Sequence, residues 1–229
     1  MGIVRPFVLI NVASTADGKI DTVERQGAPI SSDSDRARVD ALRASVDAVM
    51  VGGRTLLDED PRLTVRSPEL RAQRVARGLP ENPAKVGVTS SLALRPDARF
   101  LTHGPARILL FAPAGTHDPG LQARGVEVYR CGAPKVDLTA AMQTLDRLGV
   151  ERVLVEGGAT LNFELLRLGL VAEVQVYIAP LIFGGATAPT LAGGGGLMRA
   201  AAISLQRQSV DVLDDGGVLV RYSVMRSGS

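Results

Sequence analysis

Arg152–Gly169 reads RVLVEGGATLNFELLRLG. After Arg152, three residues suited to a buried strand run into an acid and a glycine pair. Leu161, Leu165 and Leu168 then recur at helical spacing until Gly169, a good helix-ending residue, closes the run. A strand that ends in paired glycines lets a ligand lie against bare backbone, and the free N–H groups of the helix that follows attract phosphate. A second segment has the same form: Val46 to Val51 leads into Gly52, Gly53, Arg54 and Thr55. Either pair alone is equally well read as a tight turn. Both together, each followed by Thr, point to one dinucleotide lying across two strand ends, where ligands of open α/β sheets sit. Neither turn is GxGxxG, and GxxxxGK[ST] is absent, so a Rossmann dehydrogenase and a P-loop kinase both lose support.

Working outward, short β-branched runs predict strands at Phe7 to Val12, Val46 to Val51, Lys85 to Thr89, Arg107 to Phe111, Val126 to Tyr129, Arg152 to Val155, Val174 to Ile178, Ile203 to Val210 and Gly217 to Val224. Helices fall between them. One starts at Ser32, an N-cap with Asp35 three residues on, and carries Val39, Leu42 and Val46 on one face. Another follows Asp137 and stops at Gly149, and a third starts near Thr160. This alternation implies an α/β fold with a mostly parallel sheet, finished by antiparallel C-terminal strands. Ser67 to Pro83, polar and Arg-rich between prolines, reads as a mobile surface excursion rather than a boundary, so residues 1–229 are expected to form one domain. Asp17 and Gly18 read as a structural turn in which Asp bonds the local backbone.

Composition narrows the function. With 229 residues, net charge +2, 45% hydrophobic and 22% charged side chains, the chain has the balance of an ordinary globular protein. Arginine makes up 23 of the 26 basic residues, but 24 acids offset them, and aromatics are only 3%, so neither a polybasic arm nor a stacking platform for nucleic acid is present. One cysteine, Cys131, and two histidines cannot build a Cys-rich zinc site, and no metal is expected. The start, MGIVRPFVLINV, lacks the regions of a signal peptide, which predicts a cytoplasmic protein. Val174 to Met198 carries no charge, but two prolines and six glycines make it a strand followed by loops rather than a membrane span.

The stretches VLINVASTADGKI (Val8 to Ile20), ISSDSDRARVDALRASVDAVMVGGRTLLDEDPRLTVR (Ile30 to Arg66) and RVLVEGGATLNFELLRLGLVAEVQVYIAPLIFGG (Arg152 to Gly185) resemble the pyrimidine reductases of riboflavin biosynthesis, in particular the stand-alone archaeal type. The resemblance covers nearly the whole chain in order. It implies a dihydrofolate-reductase-like fold, a homodimer, and NADPH as hydride donor. It implies as substrate 2,5-diamino-6-(ribosylamino)-4(3H)-pyrimidinone 5′-phosphate, whose ribosyl group becomes ribityl. Bacterial relatives often carry a fused zinc deaminase, which a single cysteine cannot supply here.

The same resemblance implies a set of site residues. Ala13 and Pro29 fall beside the nicotinamide, and Arg54, Thr55, Glu59 and the turn Gly157, Gly158, Ala159, Thr160 hold the rest of the cofactor. Arg43 and Arg66 grip the substrate phosphate with Ser31, Ser32 and Leu63 as neighbours, while Ser32 also fits as a plain helix cap. Glu59 stands where relatives usually have Asp. For Glu156 the residues leave two roles, an acid that projects from a buried strand end into a cleft, where it could handle the proton, or a helix-start charge favoured by the dipole; the resemblance assigns it to substrate contact. Three other readings stay open: reduction of 5-amino-6-(5-phosphoribosylamino)uracil, reduction of dihydrofolate or another pteridine, and a non-catalytic NADP(H) sensor.

Overall fold

Ala48–Gly52 (β2), AVMVG, has no polar side chain and is buried along its whole length, as a parallel strand covered on both faces must be. In the computed structural model, which describes residues 6–225, β2 runs parallel to Ala84–Val88 (β3), β3 to Ile108–Ala112 (β4) and β4 to Glu127–Arg130 (β5). Arg152–Val155 (β6) completes the order β5-β4-β3-β2-β6. These strands belong to one of two compact units, formed chiefly by Arg38–Leu154. The second unit is built from Phe7–Ala37 and the chain from Val155 onward. There Phe7–Thr15 (β1) pairs in parallel with Glu173–Ala179 (β7), which pairs antiparallel with Val218–Val224 (β9), and β9 with Leu205–Val212 (β8), in the order β1-β7-β9-β8. All nine expected strands form, and the antiparallel pairs are confined to the late ones. The architecture is mixed α/β with a mostly parallel sheet.

Among the described residues there are five α-helices: Asp33–Ala44 (α1), Pro68–Ala76 (α2), Arg99–Thr102 (α3), Leu138–Arg147 (α4) and Ala159–Arg167 (α5). Ser32 caps α1 and Asp137 caps α4, and Gly149 and Gly169 follow α4 and α5 with positive φ, as the sequence expects. Val46, however, lies beyond the end of α1. The Ser67 to Pro83 excursion is corrected: most of it is α2. Ser67 accepts a hydrogen bond from Leu70 N–H at 3.1 Å, Pro68 occupies the first turn, and Arg74 is only 2% exposed. Its guanidinium donates to the carbonyls of Ala44, Val46 and Pro80 at 2.8 to 2.9 Å, so an Arg-rich stretch that looks solvated is pinned by a buried arginine.

Val174 to Met198 is a strand followed by turns and loops, as expected, and among the described residues no helix is long and apolar enough to cross a membrane. The reading of the chain's start falls partly on residues 1–5, outside those described.

Candidate functional site

Val153, Leu154 and Val155 are fully buried, so β6 delivers its C-terminal end from the protein interior. Glu156, half-buried, stands at that end. Gly157 follows with φ +103 and a cis peptide bond to Gly158, and Gly158, extended at φ −82, begins α5. The first N–H groups of any helix lack an intrahelical acceptor. Side chains meet that need elsewhere: Ser32 at α1, Ser67 at α2, Asp137 at α4, and Asp60, which accepts from Arg99 and Phe100 N–H at 2.9 and 3.0 Å, at α3. Helix α5 has no side-chain cap. Its first turn, with Ala159 half-buried and Thr160 exposed, therefore presents backbone donors suited to an anion.

At the end of β1, Ala13 packs against Ile30, Tyr177, Ala179 and Leu219. Asp17 accepts from the Thr15 hydroxyl at 2.5 Å, which holds its carboxyl below the usual range, and from Phe183 and Gly184 N–H at 3.3 and 2.7 Å. The turn is structural, as expected, but with a correction: the backbone it bonds is that of residues 183–184, not only its own. Pro29 is exposed, and the backbone before it is held by Asp21, whose carboxylate accepts from Gly27 and Ala28 N–H at 2.9 Å each. The Ser31 carbonyl accepts from the Arg36 guanidinium.

Ser32 is heavily engaged. Its Oγ accepts from Asp35 N–H and donates its proton to Asp215. Ser34 also donates to Asp215 at 2.6 Å, and the two hydroxyls hold the Asp215 carboxyl down at about 2. With its one proton committed, Ser32 offers a ligand only an acceptor. Tyr177, 1% exposed, lies beside this group, and Gly217 leaves room for its ring, since a Cβ there would come within 2.4 Å. Sequence reasoning missed Asp215 and Tyr177. The Asp-Gly signal at 215–216 marks a hairpin turn between late strands, but nothing local shows that it reaches back to Ser32.

In the Arg38–Leu154 unit, Gly52 and Gly53 end β2, and Thr55–Glu59 forms a π-helical turn. A Cβ at Gly53 would lie 2.9 Å from the Thr89 hydroxyl and 3.2 Å from Thr89 Cα, so this glycine makes room for a neighbouring strand end. Arg54 is exposed and Thr55 buried. The Glu59 carbonyl accepts from Arg99 at 2.8 Å, while the acid that caps α3 is its neighbour Asp60. Arg43 and Arg66 are brought to one stretch of chain. Arg43 donates to the Thr64 carbonyl at 3.1 Å, and Asp40 accepts from the backbone N–H groups of Arg66 and Ser67 at 2.7 and 2.8 Å, with Arg66 Nε at 4.0 Å. The Arg66 side chain is about half exposed. Leu63 has φ +52 and a side chain 1% exposed, so only its backbone is available to a ligand. Among the described residues no three His, Cys, Asp or Glu side chains gather as a metal site.

The family model of the RibD C-terminal domain matches residues 6–219. A protein of Archaeoglobus fulgidus named 2,5-diamino-6-ribosylamino-4(3H)-pyrimidinone 5′-phosphate reductase is 38% identical over 87% of this chain and 91% of its own length. One of the same name from Methanothermobacter thermautotrophicus is 38% identical over 96% and 99%. Among solved structures, Acinetobacter baumannii RibD superposes with TM-score 0.79 at 24% identity, covering 97% of this chain and 59% of that one. Dihydrofolate reductase from Enterococcus faecalis, at 14% identity, shares the fold with TM-score 0.50 over 95% and 96% of the two chains. The motif-by-motif resemblance and the folded strand ends thus converge, and the chain belongs to the RibD C-terminal domain family of riboflavin-biosynthesis reductases.

Proposed function

We propose that the chain catalyses the NADPH-dependent reduction of 2,5-diamino-6-(ribosylamino)-4(3H)-pyrimidinone 5′-phosphate, converting its ribosyl group to ribityl. The observation that carries this reading is the turn after β6: half-buried Glu156, the glycine pair, and a helix start with no side chain to cap it. It stands in a chain 38% identical over nearly its whole length to a reductase of that name. One family model running through both compact units supports treating 1–229 as a single reductase domain.

Opening the ribosylamine gives an imine. Hydride addition to its carbon and protonation of its nitrogen then give the ribityl amine. NADPH, when bound, supplies the hydride, so the protein's task is to bind, orient and exclude water. The residues fit a nucleotide of this kind. The uncapped N–H groups of Ala159 and Thr160 receive phosphate beside the side-chain-free backbone of Gly157 and Gly158. Arg54, Thr55 and Glu59 hold the diphosphate and adenosine end, and Ala13 and Pro29 flank the nicotinamide. Arg43 and Arg66 supply guanidinium groups for the substrate phosphate, with the backbone of Leu63 and Ser31 and the Ser32 oxygen as neighbours. Glu156 contacts the substrate and handles the proton during ring opening.

The test is NADPH absorbance followed with the diaminopyrimidinone phosphate, its deaminated uracil analogue and dihydrofolate. Oxidation with the first is expected. Turnover with only the uracil analogue or dihydrofolate overturns the substrate, and NADPH binding without any turnover makes the protein a sensor. Glu156→Gln is expected to lower kcat by roughly a hundredfold or more, the usual worth of a positioned proton-transfer group, with the melting temperature unchanged. The reading carries with it a cytoplasmic location and a homodimer.

A further inference from the structure

Asn162 lies in the first turn of α5 and has no solvent exposure. A buried Asn in a helix is costly unless its amide is used. Its Nδ2 donates to the Leu191 carbonyl at 2.9 Å, while Oδ1 is buried with no hydrogen-bond partner. The same crossing is held by Gly193 N–H, which donates to the Ala159 carbonyl at 3.0 Å. Two glycines allow it to be close. A Cβ at Gly193 would lie 3.2 Å from Ala159 Cβ, and Gly194, at φ +122, has the Phe163 ring 2.7 Å from where its Cβ would be.

The other end of this segment is fastened to the loop after β1. Ile20 N–H donates to the Pro189 carbonyl at 2.9 Å, Lys19 and Thr190 form an antiparallel bridge, and Arg25 donates to the Thr187 carbonyl at 2.7 Å. Residues 187–194 therefore form a strap between that loop and the first turn of α5.

We propose that Asn162 is a positioning residue for the nucleotide: it clamps the strap to the start of α5 and so fixes the Gly157–Thr160 backbone in the shape that takes the cofactor's phosphates. This rests on the function proposed above. A Leu of similar shape would remove the unpaired Oδ1 and, with it, the donor to the Leu191 carbonyl, so what Asn adds to packing is the tie to the strap.

The experiment compares Asn162→Leu, Asn162→Asp and Gly193→Ala with the wild type. It measures KM for NADPH and for the pyrimidine phosphate, kcat, the NADPH dissociation constant by calorimetry, and the melting temperature. Both Asn162 variants lose the donor to Leu191, and each is expected to weaken NADPH by about tenfold, the factor that follows from losing about 1.4 kcal/mol of binding, with the pyrimidine KM unchanged. Gly193→Ala pushes on the same crossing from the half-buried strap and is expected to weaken NADPH several-fold with Asn162 intact; it carries the test if the Asn162 variants do not fold. A lower melting temperature with wild-type NADPH affinity in the folded variants overturns the proposal, as does unchanged affinity throughout. A wild-type chain that binds no NADPH overturns the proposed function itself, a result distinct from wild-type binding that the variants retain.

Discussion

Lys85 on β3 has no solvent exposure, and its Nζ donates to the carbonyls of Phe100 and His103 at 3.0 and 2.6 Å, with the Phe100 ring 5.9 Å away. Burial pushes its pKa down to about 8, against the opposing pull of the Asp60 charge. The protonated form is therefore disfavoured in the folded chain relative to the unfolded one. Below about pH 8 both states are charged and the cost is constant; between there and 10.5 the unfolded chain binds more protons, so stability rises with pH. Denaturant melts should show the wild type gaining on Lys85→Met across that window and not below it. Arg74 makes a different prediction. Arg74→Met leaves the Ala44, Val46 and Pro80 carbonyls without their donor and should cost roughly 2 to 4 kcal/mol of unfolding free energy. Neither role is legible in the sequence, because a buried Arg or Lys is set apart from a solvated one only by carbonyls brought from distant segments. Glu156 is legible because its neighbours on both sides constrain where it can sit.

Elements were easier to read than their anchors. The β-branched runs located every expected strand, and most sharply β2 and β4, since a parallel strand buried on both faces has little freedom of composition. Helix α2 escaped because Arg residues hide its apolar face and two prolines suggest a break. Yet Ser67-Pro68 carries a start signal, a capping hydroxyl followed by a residue with φ preset for the first turn. Ser67→Ala should lower stability by about 1 kcal/mol, measurable by urea unfolding. The contrast among helix starts is informative about the site. Four are closed by Ser or Asp, and the one left to glycine follows Glu156, the acid proposed to contact the substrate. The glycine pair at 52–53 looked equivalent in the sequence but differs in the fold, where Thr89 fills the space beside Gly53.

At the scale of the whole molecule, β8 ends the strand order, and Val210 and Val212 on it are 46% and 81% exposed. An edge strand that carries exposed valines among its polar residues is the surface on which the proposed homodimer would pair. Light scattering behind a sizing column should give twice the chain mass, and Val212→Lys should shift the protein toward the single-chain mass. The burial of Lys85 also provides a reporter. The chain has three lysines, of which Lys135 is exposed and Lys19 partly so. An acylating reagent should mark those two at once and reach Lys85 only when the Phe100–His103 carbonyls let go, so mass spectrometry of that one peptide becomes a clock for the opening of the protein's interior.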